Sequence, residues 1–153
     1  MISMRSKYGL KALAYMARTK DRDSFLIADI ARDEGIPKKF LEAILLTLKN
    51  NGILSSRKGP GGGYSLAKNP AVLTIGAIVR SFEGDLAPVQ CLSETQHASC
   101  PECFDEDTCG IKLVMADVAS AVAAILDNVT LADMLQRSEF ERQKRTQVVD
   151  FAI

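Results

Sequence analysis

A chain of 153 residues that is 47% hydrophobic has enough apolar material for one ordinary core, with room for an attached dimerisation element. Its 19 Lys+Arg and 19 Asp+Glu cancel overall but are divided: residues 1–69 hold 13 basic against 6 acidic side chains, and residues 70–153 hold 6 against 13. The longest run without a charged side chain, residues 69–79, is eleven residues. That is far short of the roughly 20 that cross a bilayer, so no membrane span is expected. Residues Met1–Lys7 lack the apolar core of a secretion signal, which predicts a reducing cytoplasmic setting.

The basic half carries the first motifs. Ser6 to Arg18 reads as an amphipathic helix, with Leu10, Leu13, Ala14 and Ala17 on one face and Lys7, Lys11 and Arg18 on the other. Its first turn offers Ser6 and Lys7 to a phosphate. After a polar turn over 19–24, a short helix over 28–34 turns Ile27, Ile30 and Ala31 inward, and Gly35 supplies a left-handed residue to end it. Ile36-Pro37 restarts the chain, with proline suited to the first helical position, and Leu41, Ile44, Leu45 and Leu48 continue the stripe to Asn51-Gly52.

Helix, glycine turn and helix form either a helix-turn-helix or a plain two-helix corner. In the first case Lys38, Lys39 and Glu42 face outward at the start of the second helix, where lysine donates to guanine and glutamate accepts from the cytosine amine. Two short strands, 53–57 and 64–66, then flank Lys58-Gly59-Pro60-Gly61-Gly62-Gly63, as in the wing of a winged helix. Arg57 and Lys58 are placed to enter a minor groove or hold phosphates, and the glycines allow close backbone approach. A nucleotide-cradling loop is the competing reading of the glycines, but the Gly-Lys-Ser/Thr ending is missing.

In the acidic half, Thr74 to Phe82 reads as a helix packing Ile75, Ile78 and Val79. Then come all four cysteines, Cys91, Cys100, Cys103 and Cys109, within nineteen residues. Clustered thiolates are soft ligands suited to an iron-sulfur cluster or to zinc, and a disulfide pair or inert thiols are the bland alternatives. His97 is the only histidine and sits in the same polar loop, as do Glu102, Asp105, Glu106 and Asp107, whose charge should lower the potential of a bound cluster. From Gly110 to Asn128 runs a long helix whose Val114, Val118, Ala121 and Ile125 form a stripe that wants a partner helix. No acid–base or nucleophile constellation is present, which argues against an enzyme.

The order of elements and three motifs resemble the IscR/NsrR-type family of winged-helix bacterial regulators. The motifs are Tyr8-Gly9-Leu10-Lys11-Ala12-Leu13, Ile36-Pro37-Lys38-Lys39-Phe40-Leu41-Glu42 and Gly59-Pro60-Gly61-Gly62-Gly63-Tyr64, and Asn128 to Leu135 resembles the family's break and short helix after its dimerisation helix. The resemblance spans about residues 5–136. It implies a homodimer on double-stranded DNA bearing an inverted repeat, with Glu42 and its neighbours Lys38, Lys39 and Phe40 in the major groove and Lys58-Gly59 at the minor groove.

It also implies a cysteine-ligated iron-sulfur cluster, 2Fe-2S or 4Fe-4S, sensing redox, nitric oxide or iron-sulfur status. Family members space three cysteines by five residues; here the gaps are eight, two and five. Cys91 and Cys109 match the outer ligands, Cys103 stands at the family's distance from Cys109, and Cys100 is an extra thiolate. The histidine of IscR-type members is replaced by Lys112, and the helix 1 ligand that NsrR-type members take from the partner chain by Lys7. Four-cysteine ligation follows as the leading reading, and zinc or a thiol/disulfide switch as the alternative. The expected organisation is a mainly α fold with a small β wing: a winged-helix DNA-binding domain (1–83), a cysteine-rich metal loop (84–110), a dimerisation helix with a short following helix (111–137) and a C-terminal tail (138–153).

Overall fold

A computed structural model describes residues 2–19 and 21–150, with side chains described to residue 146. Helix α1 spans Met4–Arg18, starting two residues earlier than the amphipathic pattern suggests because the Ser3 hydroxyl caps it, accepting from the Ser6 N–H at 3.3 Å. Its buried face is also turned from the one expected. Gly9, Ala12, Leu13 and Met16 point into the core, whereas Leu10, Ala14 and Ala17 are only half-buried. Gly9 explains the rotation: a Cβ there would lie 2.6 Å from the Phe82 ring, so the missing side chain lets a later helix pack directly on α1.

Helix α2 (Ile27–Glu34) ends at Gly35, whose φ of 64° is the left-handed cap expected. Pro37 differs from expectation. With ψ at 121° it stands before the helix rather than in it, and α3 runs Lys38–Asn50 with the Pro37 carbonyl accepting from Phe40 and Leu41 at 3.0 Å. Leu41, Ile44, Leu45 and Leu48 are fully buried. The wing follows as β1 (Leu54–Arg57) antiparallel to β2 (Gly63–Leu66), with Leu54 opposite Leu66 and Arg57 opposite Gly63. Phe25, in a segment whose neighbours read as a plain turn, exchanges backbone hydrogen bonds of 2.8 Å with Tyr64 and so forms an isolated bridge on the free side of β2. The wing tip is tight: a Cβ on Gly62 would lie 2.4 Å from the Arg57 carbonyl oxygen.

Helix α4 (Ile75–Glu83), capped by Thr74, buries Ile75, Ile78 and Val79. One continuous core joins these to α1, α3 and Phe25, and Leu131 completes it. Helix α5 (Gly110–Asn128) packs its half-buried Leu126 against that core but has no fully buried residue along its 19 positions. Helix α6 begins at Leu131 behind a reciprocal cap, in which the Thr130 hydroxyl donates to Asp133 Oδ2 at 2.7 Å and accepts from the Asp133 N–H at 3.1 Å.

The short helix and separate tail expected here are not seen. Helix α6 continues to Asp150, crossing the expected boundary at residue 137. Strong helix formers and the exposed pairs Arg142–Glu139 and Lys144–Glu141 carry it onward with no glycine or proline to stop it. The last part of the expected tail, 151–153, lies outside the described residues. Among the described residues, no helix is long and apolar enough to cross a membrane.

Candidate DNA-reading face and cysteine cavity

Lys38, Lys39, Phe40 and Glu42 all stand on the exposed side of the first turns of α3, because Leu41, Ile44 and Leu45 take the opposite side. Phe40 is held by an edge-on contact with Tyr8 of α1, ring centroids 5.8 Å apart, so the start of α3 is braced against α1. The same exposed face continues through Ala43, Leu46 and Lys49. None of these three was singled out in the sequence, because periodicity sets them outward without marking them for any role. Arg57, Lys58 and Gly59 are exposed along the wing, and Lys7 is exposed on α1.

Ser6 is the exception among the residues assigned to a phosphate. It is wholly buried, and its hydroxyl donates to Glu83 Oε1 at 2.5 Å. Glu83 also accepts from the Ser3 N–H at 3.0 Å. A hydroxyl spent inside the fold has nothing left for DNA, which corrects that assignment.

The four cysteines reach one place from three elements. Cys91 sits on a 3-10 turn, Gln90–Leu92. Cys100 and Cys103 are joined by a tight turn, Cys103 N–H to Cys100 carbonyl at 3.0 Å, and Cys109 is the N-cap of α5. All four line one cavity of 490 Å³, together with Glu106, Ile111 and Lys112. Cys103 and Cys109 influence each other directly: burial first, then the neighbouring Cys109, pushes the Cys103 thiol up. Cys109 makes no capping hydrogen bond. The Lys112 backbone N–H at the head of α5 is nonetheless the main cause that holds its thiol below the usual range, aided by Cys103 and the Ile111 N–H. Cys100 is the exposed member, with its thiol 3.4 Å from Glu102 Oε2.

Lys112, standing where IscR-type members have a ligand, is paired with Glu106 at 3.0 Å. Glu106 also faces His97 Nε2 at 3.2 Å. The Ser99 hydroxyl, then Lys112 and His97, hold the Glu106 carboxyl down to about 2. His97 is thus drawn to a carboxylate on the loop's own wall.

The donor set is one of soft thiolates, suited to an iron-sulfur cluster or to zinc. Among the described residues, no three His, Cys, Asp or Glu side chains converge closely enough to hold one metal ion. A mononuclear zinc site needs four ligand atoms all within about 2.3 Å of one centre. The four thiols share one cavity, which is the feature that an iron-sulfur cluster would need.

Two carboxylates tie this cavity to the reading head. Asp85 Oδ2 accepts from the Ser93 hydroxyl at 2.6 Å, the Thr95 N–H at 3.1 Å and the Thr95 hydroxyl at 3.0 Å, which fixes the chain just after Cys91. Glu83, on the other side of Gly84, grips the start of α1. Farther along, Arg80 of α4 forks onto Asp127 of α5 at 2.5 and 3.0 Å.

Residues 2–137 match the profile of the Rrf2 family, described as iron-dependent transcriptional regulators. The chain belongs to the Rrf2 family. It is 43% identical to an rrf2-like HTH-type transcriptional regulator of Rhodobacter capsulatus over 138 residues, covering 88% of this chain and 92% of that protein. Among solved structures, IscR of T. potens superposes with a TM-score of 0.71 at 28% identity, covering 90% of this chain and 88% of that one. CymR, the global cysteine regulator of B. subtilis, superposes with a TM-score of 0.71 at 26% identity, covering 90% and 97%. As an Rrf2 protein the chain is a DNA-binding transcriptional regulator and not an enzyme. The mainly helical fold with a two-stranded wing is that of these winged-helix regulators.

Proposed function

We propose that the protein is a homodimeric transcription factor whose DNA affinity is set by a cysteine-ligated iron-sulfur cluster held by Cys91, Cys100, Cys103 and Cys109. The observation that carries this reading is the meeting of four thiols around one cavity at the base of α5, with two carboxylates linking that cavity to α1. When bound, a cluster supplies an iron centre that reacts with oxidants and nitric oxide. The chain's own residues do the rest. Cys109 presents its sulfur at the head of α5, where backbone N–H groups favour thiolate. Asp85 holds the Cys91 side of the loop, and Glu83 passes its position to Ser3 and Ser6. Helix α1 passes it to α3 through Tyr8 against Phe40. A two-fold dimer must match half-sites about 34 Å apart, so a small shift of either head changes affinity steeply.

Anaerobic purification with iron, sulfide and zinc quantified beside a visible spectrum tests the reading. Brown protein containing iron and acid-labile sulfide is expected, and Cys91→Ser, Cys103→Ser and Cys109→Ser should each abolish the colour. Loss of colour in Cys100→Ser as well identifies the fourth ligand; a normal spectrum in that variant removes Cys100 from the set. Colourless protein with one zinc per chain overturns the cluster.

A thiol switch is the second reading, favoured by Cys103 and Cys109 lining one cavity as free thiols. Metal-free protein that forms a Cys103–Cys109 disulfide on oxidation would establish it.

A further inference from the structure

The middle of the outward side of α3 is apolar. Lys39, Ala43, Leu46 and Asn50 follow one another at spacings of four, three and four, and so form a single exposed ridge opposite the buried Leu41, Ile44 and Leu48. Between the polar ends of this ridge lie only Ala43 and Leu46, and Leu46 is 50% exposed. Thr47 beside them is half-buried, and its hydroxyl donates back to the Ala43 carbonyl at 3.0 Å. From Ala43 to Leu48, therefore, no side-chain donor is free, and the Thr47 oxygen is the only side-chain acceptor.

A single exposed leucine is ordinary on a solvated surface. What gives Leu46 meaning is its setting. Lys38 and Lys39 stand before it and Lys49 after it, all exposed, and Arg57 and Lys58 of the wing follow α3 directly in the chain. This basic surround is complementary to DNA, so the face that holds Leu46 is the one a duplex would cover. Base pairs present donors, acceptors and one apolar group in the major groove, and the apolar group is the C5 methyl of thymine. Leu46 lies four residues beyond Glu42, about 6 Å along the helix axis at 1.5 Å per residue. That is about one to two base-pair steps of 3.4 Å.

We propose that Ala43 and Leu46 form a specificity-determining patch that packs on the 5-methyl group of a thymine, about one to two base pairs from the base that Glu42 reads. The small side chain of Ala43 leaves room for the methyl, and Leu46 closes over it. Each half-site then combines a G·C position chosen by a carboxylate with an A·T position chosen by apolar contact. The assignment rests on α3 as the helix that enters the major groove.

The test uses full-length protein isolated anaerobically and the DNA it selects from a random pool, in which each thymine is replaced in turn by deoxyuridine. Uracil keeps every hydrogen-bonding group of thymine and lacks only the methyl. One thymine per half-site should be sensitive, with binding weakened about four-fold, the worth of one buried methyl group. Leu46→Ala should abolish that sensitivity at the same position, and Leu46→Met, which keeps the apolar bulk, should retain it. Indifference to uracil at every position, or an unchanged ratio of thymine to uracil binding in Leu46→Ala, overturns the proposal. Conversion of a dimer to a monomer by Leu46→Ala would put a second copy on this face and overturn it too. Glu42→Ala separates the two levels. If it relaxes base preference while uracil has no effect, the methyl contact alone fails; if neither Glu42→Ala nor Leu46→Ala alters any preference, α3 is not the reading helix and the underlying assignment fails with it.

Discussion

Ser6 and Lys7 are adjacent in sequence and both look like phosphate contacts, yet they face different media. Ser6 is sealed against Glu83, and Lys7 points to solvent. Replacing Ser6 with Ala removes one hydrogen bond to a carboxylate and should cost about 1 to 2 kcal/mol of stability. In chemical denaturation that is a lower midpoint, with no change in the salt dependence of DNA binding. Lys7→Ala and Lys58→Ala should behave oppositely, each lowering the slope of log affinity against log salt by about one with stability unchanged. Glu42→Ala should relax base preference at one position per half-site, by roughly 1–3 kcal/mol of discrimination, when matched and single-substituted sites are compared. Residue identities alone made Lys38, Lys39 and Glu42 legible, since their place follows from the buried Leu41, Ile44 and Leu45. They did not reveal the fate of Ser6, because Glu83 is 77 residues away and no local pattern encodes that partner.

At the level of elements, stop and start signals were legible wherever the chemistry is local. Gly35, Thr74 and the Thr130–Asp133 cap all act within four residues, so the end of α2 and the starts of α4 and α6 fall close to where sequence places them. The rotated face of α1 was not legible, since it is decided by Phe82 packing onto Gly9. The loop from Gly84 to Cys109 has little regular structure, and the groups that order it, Asp85 with Ser93 and Thr95, give no periodic signal.

That anchor has a pH dependence of definite sign. The Ser93 hydroxyl first, then the Thr95 N–H, holds the Asp85 carboxyl at about 2, below its ordinary 3.8. A carboxylate with a depressed folded value contributes its stability in full above the unfolded value and loses it as pH falls toward the folded one. Loop protection in hydrogen exchange should therefore persist from neutral pH to about pH 4 and decline between 4 and 2. Asp85→Asn should show reduced protection over residues 91–96 already at pH 7. Equal protection in the variant would mean that Asp85 does not anchor the loop.

Over the whole molecule, the proposed function gives the two halves different partners, DNA for the basic first half and a second copy for the uncovered α5. The basic first half carries the reading face and wing; the acidic second half carries the thiols and a 19-residue helix with nothing fully buried. Charge reversal in the apolar stripe, Val118→Asp, should yield a folded monomer by sedimentation that binds DNA weakly, because half of the two-fold contact is lost. The account as a whole stands on coupling between the cysteine cavity and the reading head through Asp85, Glu83, α1 and Phe40. Its most direct measurement is the affinity for DNA selected by the protein from a random pool, at one fixed salt concentration. The anaerobic protein as isolated is compared with the same protein after its metal has been removed and its thiols oxidised. A change of about 5- to 150-fold is the expected coupling; equal affinity in the two states, with the dimer intact, would contradict it.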